Sequence, residues 1–405
     1  LANQLRTSSK LPLFILMLNL FIALLGQGMV IPILPDYLKQ FNAAGTAAGY
    51  LVAAFGAAQF IFSPIGGRLS DQWGRKGMIM SGLFLTVISD LMFAALHTLP
   101  LLYLARFIGG IGLGLMVPSV MAYVADITTP VTRAKGMGYI NAAMNLGMVL
   151  GPGLGGIIAQ YGIRTPYYFA SGLGLIAAVF SILLPETLKK KEKQQLPATT
   201  QQREPIKRKI KKSFQTPYFR YLLLTLISTF GLVNYETVFS LFVEQKYNFD
   251  ASKISIIIML GAVIGIVVQV WLLDKIIKKL GENAILWSSL IMIGVAFLLM
   301  LIKINFAYLL LVSSIFFIFN AFLRPTVSTS IANLAGEEQG YASGLSATYM
   351  SVGTILGPII AGWLFDKNLN SPYIFGAIIV VLTPFLTLWN RKGTKSMKAQ
   401  VLDHD

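Results

Sequence analysis

The sequence predicts an all-α membrane protein whose twelve transmembrane helices form two related six-helix bundles, and three observations carry that prediction. Of 405 residues, 55% are hydrophobic and 12% charged, about half the ~25% charge of a soluble domain; mean hydropathy is +0.68. Apolar stretches of about twenty residues recur along nearly the whole chain, the length an α-helix needs to cross ~30 Å of hydrocarbon at ~1.5 Å per residue. Short motifs also return at a fixed offset in the second half. Open strands would leave backbone groups unsatisfied in lipid, and barrel strands would read as short alternating segments. These segments are continuous, so the spans are helices.

In chain order the spans fall near 12–38, 46–70, 77–97, 100–126, 133–159 and 165–184, then 217–243, 253–275, 283–303, 305–330, 340–364 and 370–390. Between the sixes lies the longest polar stretch, 185–216, with Lys189, Lys190, Lys191, Lys193, Lys207, Arg208, Lys209, Lys211 and Lys212 and with Pro197 and Pro205 among them. Such a composition cannot build a packed core; it reads as a flexible linker, and a basic helix lying on anionic lipid fits it too. The domains expected are an amino-terminal bundle at 1–184, the linker at 185–216, a carboxyl-terminal bundle at 217–390 and a tail at 391–405.

The net charge of +16 reports topology rather than nucleic-acid binding. Of the 33 Lys and Arg, only Lys39, Arg164, Lys246, Lys253, Lys303 and Lys367 fall on odd-numbered loops, and Arg106 and Arg324 lie inside spans. All the others sit on the tails and even-numbered loops, which places both termini in the cytoplasm. Arg6 and Lys10 lead directly into a full-length span, so no cleavable signal is expected. With no cysteine and only His97 and His404 as imidazoles, disulfides and Cys nucleophiles are excluded and no metal site is expected. No Gly-x-x-x-x-Gly-Lys-Ser/Thr motif occurs, so an ATP-driven machine is not indicated.

The halves resemble one another. Gly147-Met148-Val149-Leu150-Gly151-Pro152 returns as Gly353-Thr354-Ile355-Leu356-Gly357-Pro358, and Pro166-Tyr167-Tyr168-Phe169 as Pro372-Tyr373-Ile374-Phe375, both 206 residues on. Pro118-Ser119-Val120 matches Pro325-Thr326-Val327 at 207. A common offset argues for a duplicated six-helix unit, a parallel repeat known among transporter folds.

Between spans two and three runs Gly66 to Lys76 (Gly-Gly-Arg-Leu-Ser-Asp-Gln-Trp-Gly-Arg-Lys). Glycines there allow a tight turn, and Asp71 with the cations can form an ion-pair latch. Its members are taken as Gly67, Asp71, Gly74, Arg75 and Asp126, the last closing span four. In the second half Lys278 stands in the place of Asp71 and Gly281 in that of Gly74.

These motifs resemble the major facilitator superfamily. The Gly66–Lys76 loop is similar to its signature, Arg106-Phe107-Ile108-Gly109-Gly110-Ile111-Gly112 to its second motif, and Gly147 to Gly156 to the third, of the antiporter branch (Gly147, Gly151, Pro152, Gly155, Gly156). With Gly28 to Pro35 in span one they resemble twelve-span drug–proton antiporters. Tyr235 to Phe242 in span seven and Leu323-Arg324-Pro325 in span ten resemble Gram-positive multidrug pumps of the quinolone-exporting kind. The resemblance implies a major facilitator fold and export of amphipathic, often cationic drugs and dyes in exchange for protons, without an organic cofactor. It also implies a bacterial cytoplasmic membrane; a monomer is expected, with membrane lipids as surroundings. One departure stands out: such pumps carry an acid three positions before the Arg-Pro of span ten, where this chain has Ala321, beside Asn320.

Ionisable groups inside spans are functional candidates because hydrocarbon makes them costly. Glu236, Asp90 and Arg106 share a depth of ~10 Å from one membrane face by the helical rise; Asp36 sits slightly nearer the surface. Burial disfavours a charged carboxylate and a nearby cation favours it, a balance that suits a proton carrier. Glu236 is the leading site for substrate or proton. Asp36 as a wetted surface acid, Asp90 as a structural partner and Arg106 as a brace are the competing readings. Around Glu236, an apolar pocket wall with sparse polar points is expected from Gln27, Phe55, Gln59, Asn141, Asn145, Phe239, Asn320 and Tyr349, against lipid contact or helix packing for each aromatic. The rival functions are an exporter of one metabolite or lipid on the same fold and, more remotely, a membrane receptor or enzyme; an enzyme is not expected, for want of a catalytic constellation.

Overall fold

The computed structural model describes residues 10–188 and 206–389, and the described residues form helices and turns without strands. Spans one to six are Lys10–Lys39, Gly45–Trp73, Arg75–Ala95, Leu99–Ile127, Pro130–Ile158 and Thr165–Ile182. Span seven is Phe219–Tyr247, span eight Ala251–Leu280, span nine Glu282–Leu299, span ten Phe306–Ala335 and span eleven Gln339–Lys367. These eleven are long and apolar enough to cross a membrane. A twelfth apolar helix, Ser371–Trp389, follows. The polar tail at 391–405, His404 and the linker residues 189–205 lie outside the described residues.

Helix ends follow local chemistry. Gly74 takes φ +115° between spans two and three, a conformation other residues rarely adopt. Thr129 begins span five with a capping box, its side chain accepting from the Thr132 amide while the Thr132 hydroxyl accepts from the Thr129 amide at 3.0 Å. Asn305 caps span ten, Oδ1 accepting from the Tyr308 amide at 2.8 Å. Span eight is not uniform: residues Val268–Leu272 form a π turn before the helix resumes at Leu273.

The helices fall into two units. One comprises Leu1–Gln201 with Val243–Met259, the other Gln202–Phe242 with Leu260–Asp405. The first unit thus takes in the end of span seven and the start of span eight, which composition alone assigned to the second half. The contacts responsible are specific: Lys39 pairs with Glu244, Gln160 Nε2 donates to Ser252 Oγ at 3.0 Å, and Gly156 lies against Ala251 and Ser255.

Within the first unit, span two packs on span four, three on four, and one on five. Lipid is as apolar as a side chain, so helices in it associate through close van der Waals packing and small residues. Span five shows this. A Cβ on Gly151 would stand 2.6 Å from the Leu25 carbonyl and 2.8 Å from Gly28 Cα, and Gly147 and Gly155 meet the span-one backbone at Phe21 and Met29. Gly153 and Gly156 face span eight instead, at Met259 and Ser255. Pro152 is buried inside span five. A buried core of Ile15, Leu20, Leu83, Met116 and Tyr123 fills the unit, and Asn19 donates to Ser181 Oγ at 2.8 Å across spans one and six. In the second unit span nine packs on ten and on twelve, with Val268, Ile285 and Phe322 at one core.

Candidate functional site

Asp90 projects from span three toward span one, where Gly26 makes room: a Cβ on Gly26 would come 3.4 Å from Asp90 Oδ2 and 3.2 Å from Ala170 Cβ. Arg106, on span four, is the charge that bears on this carboxylate. Its guanidinium lies 4.9 Å from the centroid of Phe93 and 6.0 Å from that of Phe55, a cation–π setting that is strongest where water is scarce. Phe93 stacks on Tyr37 at 5.3 Å and meets Tyr167 at 4.8 Å, and the Tyr37 hydroxyl donates to the Phe93 carbonyl. Toward the end of span three Arg164 continues the cluster, donating to the Ala94 carbonyl at 3.0 Å and meeting His97 Nδ1 at 2.9 Å. Among the described residues Asp90 makes no hydrogen bond or ion pair.

Glu236 is half-buried between Tyr235 and Thr237, which are buried. Arg324, from span ten, is the charge that bears on it. Tyr235 stacks on Phe239 at 4.5 Å and on Phe316 at 4.2 Å, an aromatic column beside Glu236 on span seven. Phe239 has no exposed surface, so its ring serves this packing.

The remaining pocket candidates are dispersed. Phe55 is buried against Arg106, while Gln27 and Gln59 are half-buried. Asn141 and Asn145 are exposed along one face of span five. Asn320 is buried, and its carbonyl oxygen has no hydrogen-bond partner among the described residues. Tyr349 is buried with its hydroxyl 2.7 Å from Ser213 Oγ, on a short basic helix, Ile206–Ser213, formed by the end of the linker. Asp36 is exposed and 3.6 Å from Lys39, which also pairs with Glu244. A cavity of about 310 Å³ opens beside it, lined by Asp36, Gln160, Asp250 and Ser252 among others.

At the linker end of the first unit, Arg75 is the hub. It pairs with Asp71 and donates to Asp126 Oδ2 at 3.2 Å and to Ser70 Oγ at 3.2 Å. Thr187 Oγ1 donates to the same Asp126 oxygen at 2.8 Å. Gly67 lies along span two, where a Cβ would meet only Pro118, at 3.9 Å. Glu186 was missed by sequence reasoning because it lies in a stretch read by composition as linker. Its carboxylate accepts from the amides of Arg75 at 2.9 Å and Lys76 at 3.2 Å, the exposed donors at the start of span three. Gly74 lies directly against it, so a Cβ there would have to displace the Glu186 carboxylate. Among the described residues no group of three or more His, Cys, Asp or Glu could hold a metal ion.

Eleven described helices long and apolar enough to cross a membrane, with a carboxylate inside two of them, define a multi-pass membrane protein. The chain belongs to the Major Facilitator Superfamily, which it matches over residues 16–320 and 276–402. It is 40% identical over 380 residues to multidrug resistance protein 2 of Bacillus subtilis (strain 168), covering 93% of this chain and 95% of that one. It is also 40% identical over 393 residues to the quinolone resistance protein NorA of Staphylococcus aureus (strain COL), covering 96% and 98%. The crystal structure of the nucleoside transporter NupG superposes with a TM-score of 0.75 at 16% identity, covering 93% of this chain and 98% of that one, a likeness of fold.

Proposed function

We propose that this chain exports amphipathic, often cationic drugs and dyes in exchange for protons, by alternating access in a bacterial cytoplasmic membrane. The observation that carries the reading is Glu236: a carboxylate on an apolar helix, half-buried, without a hydrogen bond or ion pair among the described residues, and under the field of a single arginine. A charge held so deep is costly unless a ligand or a proton satisfies it. Deprotonated, it attracts the cationic end of an amphiphile; protonated, it releases it. Asp90 with Arg106 offers the first unit a similar exchange point. Relatives named for multidrug and quinolone resistance support the substrate class. Both termini lie in the cytoplasm on this reading, which the charge asymmetry of the loops supports, and the chain works as a monomer surrounded by lipid.

The test uses purified protein in weakly buffered detergent solution: adding a cationic dye should release protons, and Glu236→Gln should abolish the release. In cells, dye accumulation should rise when a protonophore collapses the gradient. Dye binding without proton release, and efflux indifferent to the protonophore, would end the proton-exchange reading.

A further inference from the structure

We propose that the Tyr167 hydroxyl passes the proton between Asp90 and the membrane face at which His97 lies, through one water molecule on the Asp90 side. The proposal rests on the proton-exchange reading above and names a further working residue for it.

Span six packs on span three in a constant antiparallel register. A Cβ on Gly174 would stand 2.6 Å from Val87 Cγ2, and Ala170 and Asp90 together flank Gly26, at 3.2 and 3.4 Å from a Cβ there. The Tyr167 and Phe93 rings then meet at 4.8 Å. Each turn along one helix is matched on the other, so Tyr167 lies about one turn from Asp90, ~5 Å along the axis. One turn further in the same direction, Arg164 donates to the Ala94 carbonyl at 3.0 Å and meets the exposed His97. The series Asp90, Tyr167, Arg164, His97 thus runs from within span three to an exposed end.

Packing explains the Tyr167 ring but not its hydroxyl. The ring meets Phe93 and lies 5.5 Å from that of Tyr37, and the residue is only 2% exposed. Its hydroxyl makes no hydrogen bond among the described residues. A buried hydroxyl without a partner is costly, and phenylalanine would fill the same space without that cost. The groups that face it are Tyr37 on span one, Asp90 on span three, Arg106 on span four and Arg164 on its own span. The Tyr37 hydroxyl is taken up by the Phe93 carbonyl, and arginines only donate, so Asp90 is the strongest acceptor left. A water between hydroxyl and carboxylate satisfies both, as ordered water does for many buried polar groups. For inward transfer, a hydronium ion at the His97 face gives its proton to the Tyr167 oxygen. The hydroxyl proton passes to the bridging water, and a proton of that water passes to the Asp90 carboxylate. Water is left at the His97 face, Asp90 is protonated, and Tyr167 is neutral before and after. Flanked by Arg106 and Arg164, the hydroxyl is no resting place for an excess positive charge, so the proton moves on to Asp90.

The experiment uses the purified full-length chain in lipid vesicles and a fluorescent quaternary ammonium dye, which cannot itself carry a proton. Tyr167→Phe should lower dye transport driven by a proton gradient about 100-fold, the lower end of what a positioned proton-transfer group contributes. Exchange of dye for dye, with no gradient and no net proton movement, should continue at nearly the wild-type rate, whereas a merely structural role would slow both. In the infrared, the carbonyl stretch of protonated Asp90, assigned by its loss in Asp90→Asn, should move to higher wavenumber in Tyr167→Phe as a hydrogen bond is lost. Thermal melting of Tyr167→Phe should not fall, since the ring contacts remain; failure to fold, or a lower melting temperature, would give the hydroxyl a structural role and overturn the proposal. An unmoved carbonyl stretch, undiminished proton-driven transport, or equal slowing of transport and exchange also overturns it. A wild-type chain that moves no dye under a gradient would sink the efflux reading alone, and the infrared shift would still decide this one.

Discussion

Glu186 closes the start of span three, its Oε1 accepting from the Arg75 amide at 2.9 Å and its Oε2 from the Lys76 amide at 3.2 Å. The first residues after span six are therefore part of the machinery at this end of the unit. Glu186→Ala frees two helix-terminal donors and should lower stability by about 0.5–1 kcal/mol, the lower part of the range for a lost helix cap, since the site is exposed. Gly74→Ala should cost more, because it combines a left-handed backbone with a clash against Glu186. Thermal unfolding in detergent reads both; wild-type melting for Gly74→Ala would remove the steric argument.

Asp71→Asn should slow transport while leaving substrate affinity close to that of the wild type. Arg75 bridges Asp71 and Asp126 at the linker end of the unit, away from the Asp90 cluster. Transport rate and dye affinity measured side by side decide it: normal rates would make the loop an ordinary turn.

Gly26→Val should depress proton-driven efflux by on the order of ten- to a hundredfold, since small displacements of a working group carry such costs. The branched side chain would occupy the space beside Asp90 Oδ2, with Ala170 blocking retreat. Gly26→Ala should have the smaller effect. A Gly26→Val protein with full efflux would mean that the position of Asp90 is immaterial.

Glu236→Gln keeps size and hydrogen bonding but removes charge and titration. It should abolish efflux of cationic dyes under a proton gradient and weaken their binding by ~1–3 kcal/mol, with neutral compounds less affected. If cation transport persists at full rate, the carrier lies elsewhere, and Asp90 with Arg106 takes its place.

The chain has no cysteine, so single cysteines report topology cleanly. One at Gln201 should label only from the cytoplasm, and one at Asn248, exposed in the turn between spans seven and eight, only from outside. The opposite pattern would overturn the loop-charge argument.

The spans were legible because a helix in lipid must be apolar for its whole length, a constraint local to each segment. The candidate charges were legible for the same reason: Asp90, Arg106 and Glu236 interrupt long apolar runs. Their partners were not. Gly26 beside Asp90 and Met350 beside Arg324 are joined only by tertiary packing, which leaves no periodic trace. Other contacts were equally hidden: Glu186 sits at the border of a basic stretch yet caps a helix, Phe239 stacks on Tyr235, and Tyr349 bonds to Ser213. The split of span eight between the units depends on contacts of Ser252 and Ser255 that no hydropathy pattern encodes.

The π turn at Val268–Leu272 accounts for a detail of the internal repeat. Span two runs 29 residues and its counterpart, span eight, 30. Their first residues, Gly45 and Ala251, are 206 apart, while the glycines that end them, Gly74 and Gly281, are 207 apart. A turn with i→i+5 bonding accommodates one residue beyond the α-helical count, so the lengthened copy absorbs its extra residue inside the membrane and leaves the loop glycine in register. Beyond that point an uninterrupted α-helix carrying the added residue would turn every side chain by about 100°; the bulge takes up that turn, so each residue of span eight keeps the face of its match 207 residues earlier. A one-residue difference in length is thereby confined to a single turn and does not reach the packing surface that follows it.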